Sequence, residues 1–442
     1  MKIALRSFIA FFFVMAVASL GTASYAARTG GPLFGGSGGP VFIGVPAPSD
    51  KISSFAVILK WGVHDEESHV AGMRAFAAEM IYAKFDELKN SEGVSFFESM
   101  GVMAKTETEP DYMIFTFECM TVDFDAVFNR VCSVLSSFYA DEGVFKKAKE
   151  KYLKKYENRN GVIDDVYSLF ISEFYRYHPY RRINDYSLSA IKGLEYEKAA
   201  SFMKRLFSSE RIFISVCGSV DMAKAERTAL AHFPPSGIAP SSIAEVQWEP
   251  AASKKENFVL SSSRNGFLIF GYPAPSFSSP DYPVMKLIEC LSGRGFSSRL
   301  WNEVREKKGL AYSVGATYPA LEGPSHIMLY AVIAPSSAMK VRKIFADTIA
   351  NLAKEGPTER ELATAKEKVI GEFLLRIEPS AGMASETASS AALGSRFAVD
   401  DFEKKIRKVT PEDTVRVMRK YFGKPMVLIV RPPNLYLNDT WM

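Results

Sequence analysis

The sequence predicts an α+β fold of two homologous domains, each a mainly antiparallel sheet with helices packed on one face. Three observations carry that reading. A mixed order of β-like runs and helical stretches occurs twice along the 442 residues. Between the two runs, residues 234–256 (PPSGIAPSSIAEVQWEPAASKKE) are rich in Pro, Ser and Ala, as inter-domain linkers are. Finally, MKRLFSSERIFISV from Met203 and MRKYFGKPMVLIV from Met418 share a helix end, a basic pair, an aromatic and a β-run. Their starts lie 215 residues apart, about half the chain.

The first domain is expected over 41–233. Two β-like runs, VFIGV and FAVILKWG, precede a helical stretch from about Ser68 to Leu88. A strand at Tyr112–Met120, an amphipathic helix at Phe124–Tyr139 and basic helical sequence through Asn158 follow. The strand from Ile212, IFISVCGSV, closes this half. The second domain, 257–442, opens with the strand GFLIFGYPAP and a helix at about Asp281–Leu291. A charged helix then runs into a glycine and a strand in REKKGLAYSVGAT (Arg305–Thr317), and HIMLYAVIA (His326–Ala334) is the next strand. Thr358-Glu359-Arg360-Glu361 is a capping box opening a long helix. Thr410-Pro411-Glu412-Asp413 opens the last helix, with a capping threonine and proline at the first helical position.

Composition, at 47% hydrophobic and 24% charged, describes a globular chain. Residues 1–26 have the layout of a secretory signal: a basic start, an apolar run from Phe8 to Leu20, and Ser24 and Ala26 placed for cleavage. The apolar run is shorter than the ~20 residues a spanning helix needs. Export is therefore expected, to the periplasm, with no membrane span after signal cleavage and a Gly-rich segment at 27–40 beginning the mature protein. Of the formal charge of +4, two positives (Lys2 and Arg6) fall in that leader, leaving about +2. That excess gives no argument for nucleic acid as a partner. Four cysteines, none in a CxxC pair, argue against both a disulfide framework and a cysteine metal site.

The segment LSGRGFSSRLWNEVREKKGLAYSVGATYPALEGPSHIMLYAVIA, from Leu291, resembles the second domain of insulinase/pitrilysin-type zinc peptidases, the inverzincins. The similarity is greatest to the branch of two-domain bacterial and processing-peptidase subunits. It continues through EGPTERELATAKEKVIGEFLLRIEPS and VTPEDTVRVMRKYF, and in the first half through HPYRR (His178–Arg182) and the segment ending in ISVCGSVD. The resemblance implies that each chain forms half of a clamshell. It also implies that Arg305 and Tyr312 bind substrate and stabilise the transition state. The chemistry suits both side chains: a guanidinium donates aligned hydrogen bonds to a peptide carbonyl, and a phenol donates to a developing oxyanion.

The same resemblance exposes a loss. Family catalysis uses His-x-x-Glu-His on a first-domain helix, two ligands and a base on one face, with a further glutamate ligand about 76 residues on. In GVHDEESHVAGMRAFAAEM, matching Gly72, Phe76 and Met80 places Ala75 at the first histidine, Ala78 at the base and Glu79 at the second histidine. Lys154 or Lys155 takes the position of the third ligand. Alanine has no lone pair, and lysine adds positive charge where a dication would sit. No His-x-x-Glu-His occurs anywhere in the chain, so it is expected to bind no metal. Among the five histidines only His64 and His69 are close, and five residues of helix would set them ~140° apart; solvated loop positions are expected.

Two functions follow from a chain that keeps Arg305 and Tyr312 without the zinc site. In the first, it is the non-catalytic subunit of an exported heterodimeric zinc peptidase. The partner subunit supplies zinc on His-x-x-Glu-His, and unfolded peptide is the substrate. In the second, it is an inactive peptide-binding or scaffold protein of the same fold.

Overall fold

The computed structural model describes residues 39–431 apart from 48–50, 67–70, 89–94, 140, 158–161, 185–186, 208–210, 235–256, 261–264 and 395–397. The leader, most of the Gly-rich segment and almost all of the linker therefore lie outside the described residues. In the first half β1 (Val41–Pro46) and β2 (Ile52–Leu59) lead into α1 (Met73–Asp86), the short α2 (Phe96–Ser99), β3 (Met103–Thr108) and β4 (Met113–Met120). Helices α3 (Phe124–Ser136), α4 (Glu142–Glu157), α5 (Val162–Phe174), α6 (Leu188–Lys192) and α7 (Tyr196–Leu206) follow. This half ends with β5 (Ile212–Gly218) and α8 (Met222–His232).

The second half repeats the order. It begins with β6 (Asn257–Leu260), β7 (Gly266–Ala274), α9 (Tyr282–Ser292), β8 (Ala311–Thr317) and β9 (Ser325–Ile333). It continues with α10 (Ala338–Glu355), α11 (Glu359–Ile377), α12 (Ser380–Ala392), α13 (Ala398–Lys408), α14 (Pro411–Tyr421) and β10 (Met426–Arg431). The sheets are ordered β1-β5-β2-β4-β3 and β6-β10-β7-β9-β8. In each the first and last strands pair parallel and every other pairing is antiparallel. One topology built twice is what the internal repeat implied.

Both expected helix starts hold. Thr358 accepts from the Glu361 amide while the Glu361 carboxylate accepts from the Thr358 amide, and Thr410 and Asp413 do the same behind Pro411. Strands β3 and β6 were not foreseen. β3 is MAKTET, largely exposed at a sheet edge with Lys105 and Glu107 paired across 2.9 Å, and charge of this kind hides a strand from hydrophobic periodicity. Trp301–Glu306, where a charged α-helix was expected, is a π-helix: the Lys307 amide donates to Asn302 O at 3.0 Å, five residues back.

Each sheet carries its own half's helices on one face, as the patterning required. The structure adds how the other face is covered, by one helix exchanged between halves. Phe55, Val57, Phe115 and Phe117 point into the first half's own core, while Ala56, Ile58 and Ile114 point into a core shared with α12 of the second half. That helix is built from small residues, SAGMASETASSAA, so it lies close against the sheet. Ser54 Oγ is 2.7 Å from Ser380 Oγ, and Thr116 Oγ1 is 2.9 Å from Ser385 Oγ. Reciprocally, Phe170, Ile171 and Phe174 of α5 pack on Phe267, Ile269, Leu428 and Val430 of the second sheet. Gly271 permits this approach, because a Cβ there would stand 2.4 Å from Phe170 Cε2.

A polar seam runs beside these helices. Tyr180 of the HPYRR motif donates to Asp111 at 2.6 Å and accepts from the Gly323 amide at 2.9 Å. Asp111 also accepts from the Glu322 amide at 3.0 Å, and Lys60 pairs with Glu322 at 2.7 Å. Tyr175 Oη lies 3.0 Å from Pro324 O and 2.9 Å from Nδ1 of the fully buried His326.

Two outcomes follow. Phe170→Ala should cost about 3–5 kcal/mol and should loosen both halves together, seen as a single lowered denaturation transition. Loss confined to one half would contradict the shared core. Burial also lowers the His326 pKa from 6.5 to about 3. Below pH 6.5 the unfolded chain takes up a proton that the folded chain refuses, so stability falls as pH drops toward 3. The stability difference between wild type and His326→Phe should therefore shift against wild type by up to about 1.4 kcal/mol per pH unit below 6.5. A difference independent of pH would refute this.

Candidate functional site

Helix α1 is started by a device the sequence only half shows. Gly72, at φ 90°, is its N-cap and offers no side chain. The buried Glu66 carboxylate substitutes, accepting from the Arg74 amide at 2.8 Å and the Gly72 amide at 3.4 Å. Burial pushes the Glu66 carboxyl above its usual range against the pull of Arg74. The Arg74 guanidinium, also buried, donates to Glu109 O at 2.7 Å and Ile183 O at 2.6 Å, tying α1 to two loops.

Helix α1 carries the three positions singled out in the sequence. Ala75 and Ala78 are buried, with no atom able to bind a cation. Glu79 is buried and faces α4, where Lys155 Nζ lies 2.7 Å from Oε1 and Lys151 Nζ 3.4 Å from Oε2. Lys155, 76 residues beyond Glu79, is therefore the lysine that meets this carboxylate. Lys154 lies on α4 with an exposed side chain. A charge pair thus joins α1 to α4. The donor set does not fit zinc: two alanines and a carboxylate already held by two ammonium groups leave nothing to complete a tetrahedron. Among the described residues no group of three or more His, Cys, Asp or Glu could hold a metal ion.

His64 departs from the solvated loop position expected of it. Its ring stands 4.9 Å from His178 and 4.7 Å from Tyr180, and burial lowers its pKa. His178 is buried, accepts the Tyr180 amide at 3.2 Å on Nδ1, and has its pKa lowered to about 4, first by burial and then by His64. His69 lies outside the described residues. All four cysteines are buried.

Arg305 and Tyr312 do come together. The π-helix ends at Glu306, and β8 begins after Gly309, at φ 59°. Pairing of β8 with β9 matches Ala311 to Ile333 and Ser313 to Val332, so Tyr312 is the extra residue of a β-bulge. A bulge re-aims its side chain, and Tyr312 stands 73% exposed at the free edge of the second sheet. An Arg305 N–H donates to the Tyr312 carbonyl. The guanidinium lies 5.7 Å from the Tyr312 ring and 4.4 Å from that of Trp301. Trp301 in turn donates to Glu306 at 2.9 Å and packs edge-on against the exposed Phe296 at 4.8 Å. Trp301 and Phe296 were not singled out from sequence, although both fall within the FSSRLWNEVR run and a π-turn is what gathers them. Among the described residues, neither Arg305 nor Tyr312 bonds to Glu79, Lys151 or Lys155.

The fold and this arrangement define a two-domain peptidase-family chain whose α1 positions do not fit zinc. Comparisons identify the family. Residues 42–181 match the model of the insulinase family (peptidase family M16), and residues 193–369 match that of the peptidase M16 inactive domain. The chain belongs to the insulinase, or M16, family. It is similar to an uncharacterized zinc protease of Streptomyces coelicolor, 23% identical over 87% of this chain and 86% of that one. It is also similar to the zinc protease PqqE of Helicobacter pylori, 20% identical over 83% of this chain and 84% of that one. A crystal structure of a Helicobacter pylori protease superposes with TM-score 0.80 at 19% identity, covering 91% of this chain and all of that one. A peptidase M16 inactive domain from Pseudomonas fluorescens superposes at 0.78, likewise 19% identical, over 91% of this chain and 98% of that one.

The Glu79–Lys155 pair is half exposed on the lysine side, so Lys155→Met should cost only about 1 kcal/mol. Burial pulls the Lys155 pKa down, but the bond to Glu79 outweighs it and the net shift is upward from 10.5. The cost should be full below pH 10.5 and fade as pH rises through the elevated value, measured by denaturant titration. An undiminished cost at higher pH would show that the charge pair is not its source.

Proposed function

We propose that this chain is the non-catalytic subunit of an exported heterodimeric zinc peptidase. In this reading Arg305 and Tyr312 act on peptide held at a partner's zinc site, and the partner carries His-x-x-Glu-His. The observation that carries it is the bulge: it presents the Tyr312 phenol at an open sheet edge beside a guanidinium that spends one of its five N–H groups on the Tyr312 carbonyl. The remaining donors suit a substrate carbonyl, and the Tyr312 hydroxyl suits the oxyanion that forms as that carbonyl is attacked. The free edge of β8 offers backbone groups to an extended, unfolded peptide.

The chemistry divides between two molecules. Zinc on the partner supplies Lewis acidity and an activated water. This chain's part is to orient and to donate hydrogen bonds, since Ala75 and Ala78 supply neither ligand nor base. Its leader sequence supports export to the periplasm, and no helix among the described residues is long and apolar enough to cross a membrane.

The test mixes the purified chain with a partner bearing His-x-x-Glu-His and follows cleavage of a quenched peptide. Cleavage is expected in the mixture and absent from this chain alone. Arg305→Ala or Tyr312→Phe should lower the mixture's rate on the order of 10²-fold, with the subunits still associated. Unchanged rates in both variants would remove the proposed roles and leave a scaffold or peptide-binding protein as the reading.

A further inference from the structure

The second half holds a cavity of about 230 Å³ whose lining shares no residue with the Arg305–Tyr312 edge. It lies where α9, α11, α12 and α13 converge on Tyr112, which enters β4 of the first half. Its charges are paired. Arg376 Nε is 3.1 Å from Glu386, and Arg294 is 2.9 Å from Glu372 and 3.7 Å from Glu289, which lies behind the wall and also meets Lys286 at 2.7 Å. With Glu289 counted, the set sums to zero.

Two features remain unexplained by packing. Ser390 lines the cavity, is 3% exposed, and its Oγ has no hydrogen-bond partner among the described residues. A buried hydroxyl left unpaired carries a desolvation penalty. Ala320, also in the wall, has φ 52° and is the one non-glycine residue with positive φ among the described residues. Strain of this kind gathers at ligand clamps.

The lining constrains the occupant. A ligand with net charge would leave one charge of a neutral set uncompensated in a partly buried site. A wholly apolar ligand would leave Ser390 unpaired and the ion pairs unused. Phe277 and Phe402 nevertheless supply apolar wall, and the volume falls below the ~300–1,000 Å³ of sites for drug-sized molecules. We propose that this cavity binds a small zwitterion with an apolar side chain, a free α-amino acid or a dipeptide. Its carboxylate meets Arg376 and Ser390, its ammonium meets Glu386, and its side chain lies against Phe277 and Phe402. Nothing in this assignment depends on the composite peptidase site, whose residues are different.

Calorimetric titration of the full chain tests it. The ligands are leucine, methionine and phenylalanine, the dipeptides made from each, and the N-acetyl and amide derivatives of leucine. Saturable binding of at least one zwitterion is expected, and the tighter of amino acid and dipeptide fixes the length of the occupant. The N-acetyl and amide forms each remove one charge and should bind at least about tenfold more weakly, as should the zwitterion to Arg376→Gln and Ser390→Ala. Ser390→Ala deletes a hydroxyl with no partner among the described residues, so it retains the fold and keeps the test decisive even where Arg376→Gln unfolds. Absence of saturable binding by every zwitterion, equal binding of the blocked derivatives, or undiminished binding to Ser390→Ala would overturn the assignment.

Discussion

Everything in this molecule depends on the exchange of α5 and α12. A five-stranded sheet with helices on one face leaves its other face open to water, and neither half covers that face with its own residues. Phe170 and Phe174 close the second sheet, and Ala384 and Ala388 help close the first. The halves therefore constitute one hydrophobic system, which the linker composition alone does not suggest. The polar seam from Asp111 through Tyr180 to Glu322 fixes the same relation with directional bonds. Rigid placement of the second sheet against the first is the condition for any function at the β8 edge.

Against that shared frame the two regions differ in kind. On α1, Glu79 faces Lys155 of α4 as a charge pair. Burying a carboxylate near alanines would be costly without a partner, and two ammonium groups supply one. At the β8 edge the geometry is elaborate for a mere packing role. A π-turn, a glycine at positive φ and a bulge lie within a dozen residues, and together they expose Tyr312 and Phe296 around one guanidinium, with Trp301 half-buried beside it. Core packing gains nothing from such exposure.

Much of this could be read from the chain. The repeat was legible because strands with buried faces, such as IFISVCG and MVLIV, keep their apolar runs, and the capping boxes at Thr358 and Thr410 mark helix starts chemically. Other features were not. MAKTET is an edge strand whose charges mask its period, and NFVL is only four residues long. The π-turn changes hydrogen-bond register without changing composition. Which of Lys154 and Lys155 meets Glu79 depends on the rotation of α4. The exchanged helix SAGMASETASSAA is small on every face, so no periodicity shows that it crosses to the other half.

The central claim is a division of labour between two polypeptides, and a structure of this chain bound to the proposed zinc-bearing partner and an uncleaved peptide tests it most directly. The account predicts the Arg305 guanidinium and the Tyr312 hydroxyl ~2.7–3.1 Å from the carbonyl oxygen next to the partner's metal. A peptide seated there with both side chains turned away to solvent, or a metal ion held on α1 of this chain, would contradict it.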